Sequence, residues 1–539
     1  MTGNGRIAVA VPEGFGAQLD SSTGRGDVSV DLPLDDPGST LALAGPRHHW
    51  RWRSDSRTCG RVSGMTPFRL LSPSVIVAVL VAGLVASLAA QGRPPQPDWT
   101  TAEVEALRHY QALIRFDTSV SERAEAEYLK RLFDENGIPA QVFAMDPERP
   151  NLVARLKGNG KKRPLLLLGH LDTVPVDASK WKFPPFSATR DGGYVYGRGA
   201  IDDKDNLAAA VMAMLLLKRQ NVPLDRDVVL LAESGEEGAS HLGIGFMVDA
   251  HYPEIDAEYC IAEGGDTIRE RGEVRYAAVQ VTEKVVRGVE LTARGISGHG
   301  SVPLTSNAIA HLGNAVGKFI TWQPDVKLDE TTGRYFRRLA GIASPDQAKN
   351  YRDVVSADPK VANAAADWLF QHEPRNASMA RTSVSPTMVT AGYRSNVIPS
   401  EVKARLDVRM VPSEDPDALL AQIRRAVNDT TVEVQFVPGA PRPTIPGTRL
   451  DSELFTTVEA AVTAIYKVPT LPSMSTYGTD MWPLRLKGVQ CVGIGAGVDL
   501  EDQSVGYGMH SDQERQLERE FQRFVRLNWE IVWALVRAR

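Results

Sequence analysis

Eight polar residues carry the chemistry open to this sequence: His170, Asp172, Asp202, Asp203, Glu236, Glu237, Glu263 and His510. They fall at the ends of short apolar runs or on the polar turns and loops that follow them. Carboxylates converging on one sheet edge repel and raise each other's pKa unless a cation sits among them. Two imidazoles with several carboxylates form a borderline ligand set suited to Zn²⁺, with Co²⁺ or Mn²⁺ as other occupants. The chain holds three cysteines, too few thiolates for a structural zinc site, so open coordination positions are expected. Taken singly, each residue reads better as a cap, a turn residue or a solvated charge. Their joint placement at the ends of successive strands sets them apart.

The element that positions them is residues 165–172, Leu-Leu-Leu-Leu-Gly-His-Leu-Asp. Four aliphatic residues between Pro164 and Gly169 suit a strand buried on both faces. His170 and Asp172, two apart in extended chain, point the same way. Open α/β sheets place their sites at such carboxyl ends. Residues 101–116 and 121–136 read as amphipathic helices, with Gly137 as a stop. Residues 151–157 and 164–169 read as neighbouring strands. An Ala/Met/Leu-rich helix spans 206–219, and buried strands span 228–232 and 259–262. Strand, polar tip, helix, strand predict an α/β fold with a largely parallel central sheet.

The pattern changes near Val285. Strands at 289–294, 387–392, 403–410 and 432–436, with helices at 307–320 and 416–427, give the order β-α-β-β-α-β. That order suggests an inserted α+β ferredoxin-like unit. Residues 323–385 are extra, charged and partly helical, as at 359–370, and carry no assigned role. The α/β text resumes after about residue 441, with a helix at 452–466, a strand at 489–494 and a closing helix at 513–537.

A chain of 539 residues is expected to hold two or more domains. Its net charge of -5 gives no sign of a nucleic-acid partner. Cys260 and Cys491 match no metal or redox spacing and are expected to be buried thiols. Residues 1–64 are rich in Gly, Asp, Arg and Ser without periodicity. They are expected to be a false upstream extension of the reading frame or a disordered lead. From Met65 the text is that of a secretory signal peptide over 65–90, with an apolar run at 75–88 and small residues at Ser87 and Ala89. A Pro-rich linker follows at 91–99. The apolar run is short for a membrane span of roughly 20 residues, so an uncleaved anchor is the alternative. The folded part is expected to be periplasmic or secreted, and membrane-bound only if the segment is retained.

Several motifs occur in order: Gly-His-Leu-Asp at 169–172, Gly-Arg-Gly-Ala-Ile-Asp-Asp-Lys at 197–204, Glu-Glu-Gly at 236–238, Glu-Gly at 263–264 and Gly-His-Gly-Ser-Val-Pro at 298–303. Asn396 with Pro399, Arg409, Gly-Thr-Asp at 478–480 and Met-His at 509–510 complete the set. On these motifs residues 100–539 resemble the M20 family of metallopeptidases and N-acyl amino acid amidohydrolases, which includes carboxypeptidases, aminoacylases and a desuccinylase. There are two departures. Gly235 stands where the family usually has Asp, and Asp205 where it commonly has Gly.

The resemblance implies a role for each residue. His170 and Glu263 would bind one zinc ion, Glu237 and His510 a second, and Asp202 would bridge the two. The Asp202–Asp203 peptide would be cis. Asp172 would hydrogen-bond the free nitrogen of His170 and fix its tautomer. Glu236 would take a proton from the attacking water and return it to the leaving amine. His299 would donate to the oxyanion, in relatives often from the partner subunit of a dimer. Arg409 and Asn396 would grip a substrate carboxylate, with Gly478 and Thr479 nearby. Without the family, an ion pair between Arg409 and Asp407 on the same strand face reads equally well. The implied layout is a catalytic domain over 100–285 and 441–539. A lid or dimerisation domain would span 286–412, extending to about 440. The expected activity is hydrolysis of an amide next to a free carboxylate in a small peptide. The runner-up is an N-acyl amino acid amidohydrolase, and an inactive ligand-binding homologue is the reading of another class.

Overall fold

Leu165–His170 forms the central strand and is buried along its whole length. The computed structural model describes residues 96–439 and 442–538, with the two short parallel strands Ile7–Ala8 and Val28–Ser29. The expected signal segment at 65–90 lies outside the described residues. Among the described residues no helix is long and apolar enough to cross a membrane. All that follows concerns the unit within residues 87–539.

A ten-stranded mixed sheet organises this unit. Its centre is parallel: Gln490–Gly493, Tyr259–Ala262, Leu165–His170 and Val228–Glu233 lie side by side. All four strands end at the same edge, so their carboxyl tips converge. Val228–Glu233 separates Leu165–His170 from Asn151–Leu156, which pairs with it antiparallel. The two strands expected to be neighbours are therefore one strand apart. The intervening helix, Lys204–Arg219, returns the chain for parallel pairing beside Leu165–His170, the usual outcome of a crossover.

The flanks of the sheet mix antiparallel and parallel pairs. Asp266–Glu270 and Glu273–Glu283 form a hairpin that the sequence pattern does not announce. Thr470–Ser475 and Gly497–Asp499 then pair with it in parallel. Helix Lys204–Arg219 is buried from Lys204 through Leu217, as an all-round apolar helix must be. It packs against Glu518–Val536 and Trp99–Ile114. Cys260 and Cys491 are buried free thiols on adjacent strands.

A second sheet has the order Ser383–Thr390, Glu401–Met410, Val285–Arg294, Val432–Phe436, antiparallel throughout. With helices Ala308–Gly317 and Pro416–Val427 this is the β-α-β-β-α-β order. Alternation along Glu401–Met410 buries Val402, Ala404, Leu406, Val408 and Met410 in a core separate from that of the large sheet. The extra segment folds into four helices: Glu330–Ala340, Pro345–Val354, Pro359–His372 and Pro374–Ala380. Asp329 and Asp358 cap two of them, and three have Pro in the first turn. Their apolar faces, including Phe336 and Leu369, pack with Leu471 and Met474 of Thr470–Ser475.

Candidate metal centre

The converging tips bring two groups of ligand atoms together. One joins His170, Asp202 and Glu263, and the other joins Asp202, Glu237 and His510, each with its atoms within 4.8 Å of one another. Asp202 belongs to both. Its Oδ1 lies 2.8 Å from His170 Nε2, and its Oδ2 lies 3.1 Å from His510 Nε2. His510 Nε2 is also 2.8 Å from Glu237 Oε1.

The backbone around these residues is tightly held. The Asp202–Asp203 peptide is cis. Asp203 Oδ2 accepts the His170 N–H at 3.2 Å and Asn206 Nδ2 at 3.1 Å. His170 Nδ1 lies 3.0 Å from the carbonyl oxygen of Asp172 and 3.4 Å from its carboxylate. The Asp172 carboxylate also accepts the N–H groups of Glu236 and Glu237, both at 3.0 Å. Asp172 thus ties the tip of one central strand to the turn after the next. Gly235 opens that turn at φ +78°, and a Cβ there would lie 2.6 Å from the Ala239 carbonyl oxygen. The family's usual Asp is excluded from this turn on steric grounds.

Glu514 was not found from the sequence. Buried, it accepts the N–H groups of Ile201 at 2.7 Å and Asp202 at 3.2 Å, along with Arg198 Nη1 at 2.7 Å. The available signal was an acidic residue on the loop that carries His510. Lys204 is fully buried and donates to Glu125 at 2.5 Å and to the Leu171 carbonyl, which braces the central strand tip.

The electrostatics are those of a site built around added positive charge. Burial pushes Glu236 up to about 8, and Asp203 and Asp480 up to about 7. Burial, then the charges of Asp202 and Glu236, hold Glu263 well above the carboxylate range. Hydrogen bonds to Asp202 and Glu237 lift the His510 imidazole to about 10. A proton there does for two carboxylates what a divalent cation does better. Imidazole and carboxylate donors sharing one central Asp fit a pair of divalent cations of the zinc, cobalt or manganese kind.

The substrate-binding candidates lie elsewhere. His299 is exposed on the two-residue strand Gly298–His299, with Nδ1 2.7 Å from Ser301 Oγ. Asn396 is exposed and accepts the Gly300 N–H through its carbonyl at 2.8 Å. Arg409 forms a two-point ion pair with Asp407 at 2.7 and 2.9 Å. Among the described residues, no hydrogen bond or ion pair joins these three to the carboxylates. Thr479 is buried and gives both its N–H and its hydroxyl to Glu283. Gly478 packs on Arg442, whose Nη1 would lie 2.3 Å from an added Cβ.

Comparison with known proteins now decides the family. Residues 166–529 match the model of peptidase family M20/M25/M40. The chain belongs to that family. A probable carboxypeptidase S-like 2 of Dictyostelium discoideum is 27% identical over 355 residues, 62% of this chain and 65% of that relative. The chain thus spans just under two thirds of that relative's length. A probable succinyl-diaminopimelate desuccinylase of Staphylococcus aureus strain Mu50 is 27% identical over 334 residues, 61% of this chain and 74% of the relative. The crystal structure of the M20 family metallo-carboxypeptidase Sso-CP2 from Sulfolobus solfataricus superposes with a TM-score of 0.57. It is 21% identical and covers 79% of this chain and 98% of its own, a likeness of fold. As an M20 family member the protein is a hydrolase of the metallopeptidase class.

Proposed function

We propose that the protein hydrolyses an amide bond next to a free carboxylate, as a carboxypeptidase or dipeptidase using two zinc ions. One observation carries this reading: two ligand groups share Asp202. His170 and Glu263 would hold one ion, Glu237 and His510 the other, with Asp202 available to both. Once bound, such a pair supplies Lewis acidity to the scissile carbonyl and acidity to the attacking water.

The chain's own residues do the rest. With Nδ1 donating to Asp172, the lone pair of His170 Nε2 would be left to a bound ion beside Asp202. Glu236, anchored by the same Asp172, takes the proton of the attacking water and delivers it to the leaving amine. His299 donates to the oxyanion, and Arg409 with Asn396 receives the substrate carboxylate. Arg409 then exchanges part of its fork with Asp407 for the substrate. Gly478 and Thr479 border the bound substrate. The smaller sheet acts as a lid, and a homodimer formed through it delivers His299 from the second subunit. The protein is exported on the signal segment at 65–90, and stays on the membrane if that segment is kept.

An N-acyl amino acid amidohydrolase is the second reading, favoured by the similarity to a probable desuccinylase. An inactive ligand-binding homologue would have lost a ligand or the base, yet all five ligand positions and Glu236 are present. The test is turnover of a panel of dipeptides and N-acyl amino acids with zinc, cobalt and manganese. Hydrolysis confined to substrates with a free carboxylate supports the proposal. Turnover of none of them, or equal turnover of carboxamide analogues, overturns it.

A further inference from the structure

We infer that Arg515 is a positioning residue for the second ion: it clamps the loop of residues 500–511 so that His510 meets Asp202 and Glu237. The inference rests on the two-ion reading proposed above and concerns what holds one half of that site in place.

The two halves are built differently. His170 ends a strand buried along its whole length, and Glu263 directly follows the buried strand Tyr259–Ala262. His510 is half-exposed, with φ +60°, on a loop reached through the short helix Leu500–Ser504. None of residues 500–507 is buried, and Leu500 and Val505 face solvent. The hydrophobic core fixes the first half of the site. Polar contacts must fix the second, because its loop has no apolar anchor.

Arg515 supplies those contacts. Its Nε and Nη2 donate to the two oxygens of the Asp502 carboxylate at 2.8 and 2.6 Å, and its Nη1 donates to Tyr196 Oη at 2.9 Å. Its backbone N–H donates to the Tyr507 carbonyl at 3.2 Å. The guanidinium also lies over the rings of Tyr194 and Tyr507, 4.0 and 3.8 Å from their centroids. One cation thus grips both ends of the 502–507 segment, just before His510. The clamp is itself fixed, since Arg515–Leu517 pairs antiparallel with Tyr194–Tyr196. A two-point fork with rings against it is a geometry that lysine does not reproduce. Adjacent residues therefore serve the two partners of one contact: Glu514 holds the backbone of Asp202, and Arg515 holds the loop of His510.

The experiment titrates Co²⁺ into the chelator-treated full chain and follows each ion by its visible absorption. Hydrogen exchange of the metal-free chain is measured by mass spectrometry alongside. Arg515→Met is expected to weaken the second ion by roughly 10- to 100-fold, the usual cost of losing a group that orients a ligand, and the first by no more than about twofold. Exchange should quicken in residues 500–511 and stay as in the parent in residues 165–170. Asp502→Asn, on a helix with no buried residue, should act in the same direction and keeps the test open if Arg515→Met fails to fold. Arg515→Lys should fall between the parent and Arg515→Met. Arg523→Met, which removes an arginine paired with Glu520 on the helix that follows, should change neither readout. Equal weakening of both ions overturns the clamp, as do two ions held as tightly as in the parent with unchanged exchange. A parent that holds fewer than two ions overturns the two-ion reading, and exchange then decides the clamp. Faster exchange of 500–511 in both Arg515→Met and Asp502→Asn supports it, and unchanged exchange overturns it.

Discussion

Glu514 holds Asp202 by its backbone: one carboxylate oxygen accepts the Asp202 N–H at 3.2 Å and the Ile201 N–H at 2.7 Å. Its other oxygen takes Arg198 Nη1 at 2.7 Å and the Gly199 N–H at 3.2 Å. His510, on the same loop, reaches the side chain of the same Asp202. One short segment therefore fixes the shared ligand twice. Removing the Glu514 carboxylate strands Arg198, which is 3% exposed. Breaking a buried pair from one side costs about 3–5 kcal/mol. Glu514→Ala is expected to lose that much in urea unfolding, and Glu514→Gln less, since an amide oxygen still accepts. An unchanged midpoint in Glu514→Ala would show that the turn stands without it.

Glu236 shares its turn with Glu237 but belongs to neither ligand group. Its removal should therefore separate chemistry from metal binding. Glu236→Ala is expected to lower kcat by roughly 10²- to 10⁴-fold, the usual worth of a general acid–base. Its zinc content should match that of the parent by mass spectrometry on the same preparation. Zinc lost together with activity would make Glu236 a ligand, and unchanged turnover would remove it from the mechanism.

Metal removal is expected to destabilise as well as inactivate. Without cations the buried carboxyls of Asp203, Glu236 and Glu263 are held above their ordinary values by burial and by the nearby Asp202 charge. A ligand that binds only the folded chain stabilises it by about 4 kcal/mol at a thousand times its Kd. Chelation should lower the melting temperature, and zinc should restore it in a concentration-dependent way. Asp202→Asn should abolish most of that response, because both groups lose a member, whereas Glu237→Gln should spare the His170 group. A melting temperature indifferent to zinc would contradict the ligand assignment.

The sequence made the central strand and its tips legible because burial on both faces writes an unbroken apolar run, and Leu165–His170 is such a run. The helix at 416–427 and the strand at 432–436 stand in the structure at the bounds the sequence pattern suggests. Strand order was not legible, since nothing local to Asn151–Leu156 says that Val228–Glu233 will come between it and Leu165–His170. The Asp266–Glu283 hairpin is hidden in the sequence because its first strand, Asp-Thr-Ile-Arg-Glu, mixes charges into buried positions that other segments satisfy. Arg269 in that strand is buried among partners from elsewhere in the chain, Asp499 at 2.7 Å and Glu520 at 3.5 Å. Glu514 is the same case at the site. Its role depends on N–H groups of the 199–202 turn, far away in the chain, so an acidic residue near His510 is all the sequence shows of it.

Lys284 marks the junction between the two sheets and gives a prediction in pH. It lies between Glu273–Glu283 of the large sheet and Val285–Arg294 of the small one, and it is 1% exposed. Its Nζ donates to Ser378 Oγ at 3.0 Å, the Arg381 carbonyl at 2.8 Å and Ser383 Oγ at 3.3 Å. These neutral acceptors satisfy an amine without neutralising a charge. Burial, with the nearby Arg409 charge, pulls Lys284 down to about 7. An unfolded lysine titrates near 10.4, so between about pH 7 and 10 the unfolded chain holds a proton that the folded chain has released. Folding stability from this group therefore rises with pH across that window. Below pH 7 both states are charged, and the cost of the buried ammonium is present in full. Lys284→Met removes the titration. The urea midpoint of the parent should thus climb relative to that of Lys284→Met as pH goes from 6.5 to 9.5, whatever the other groups do in both proteins. Parallel midpoints across that range would mean that Lys284 keeps its proton inside the fold.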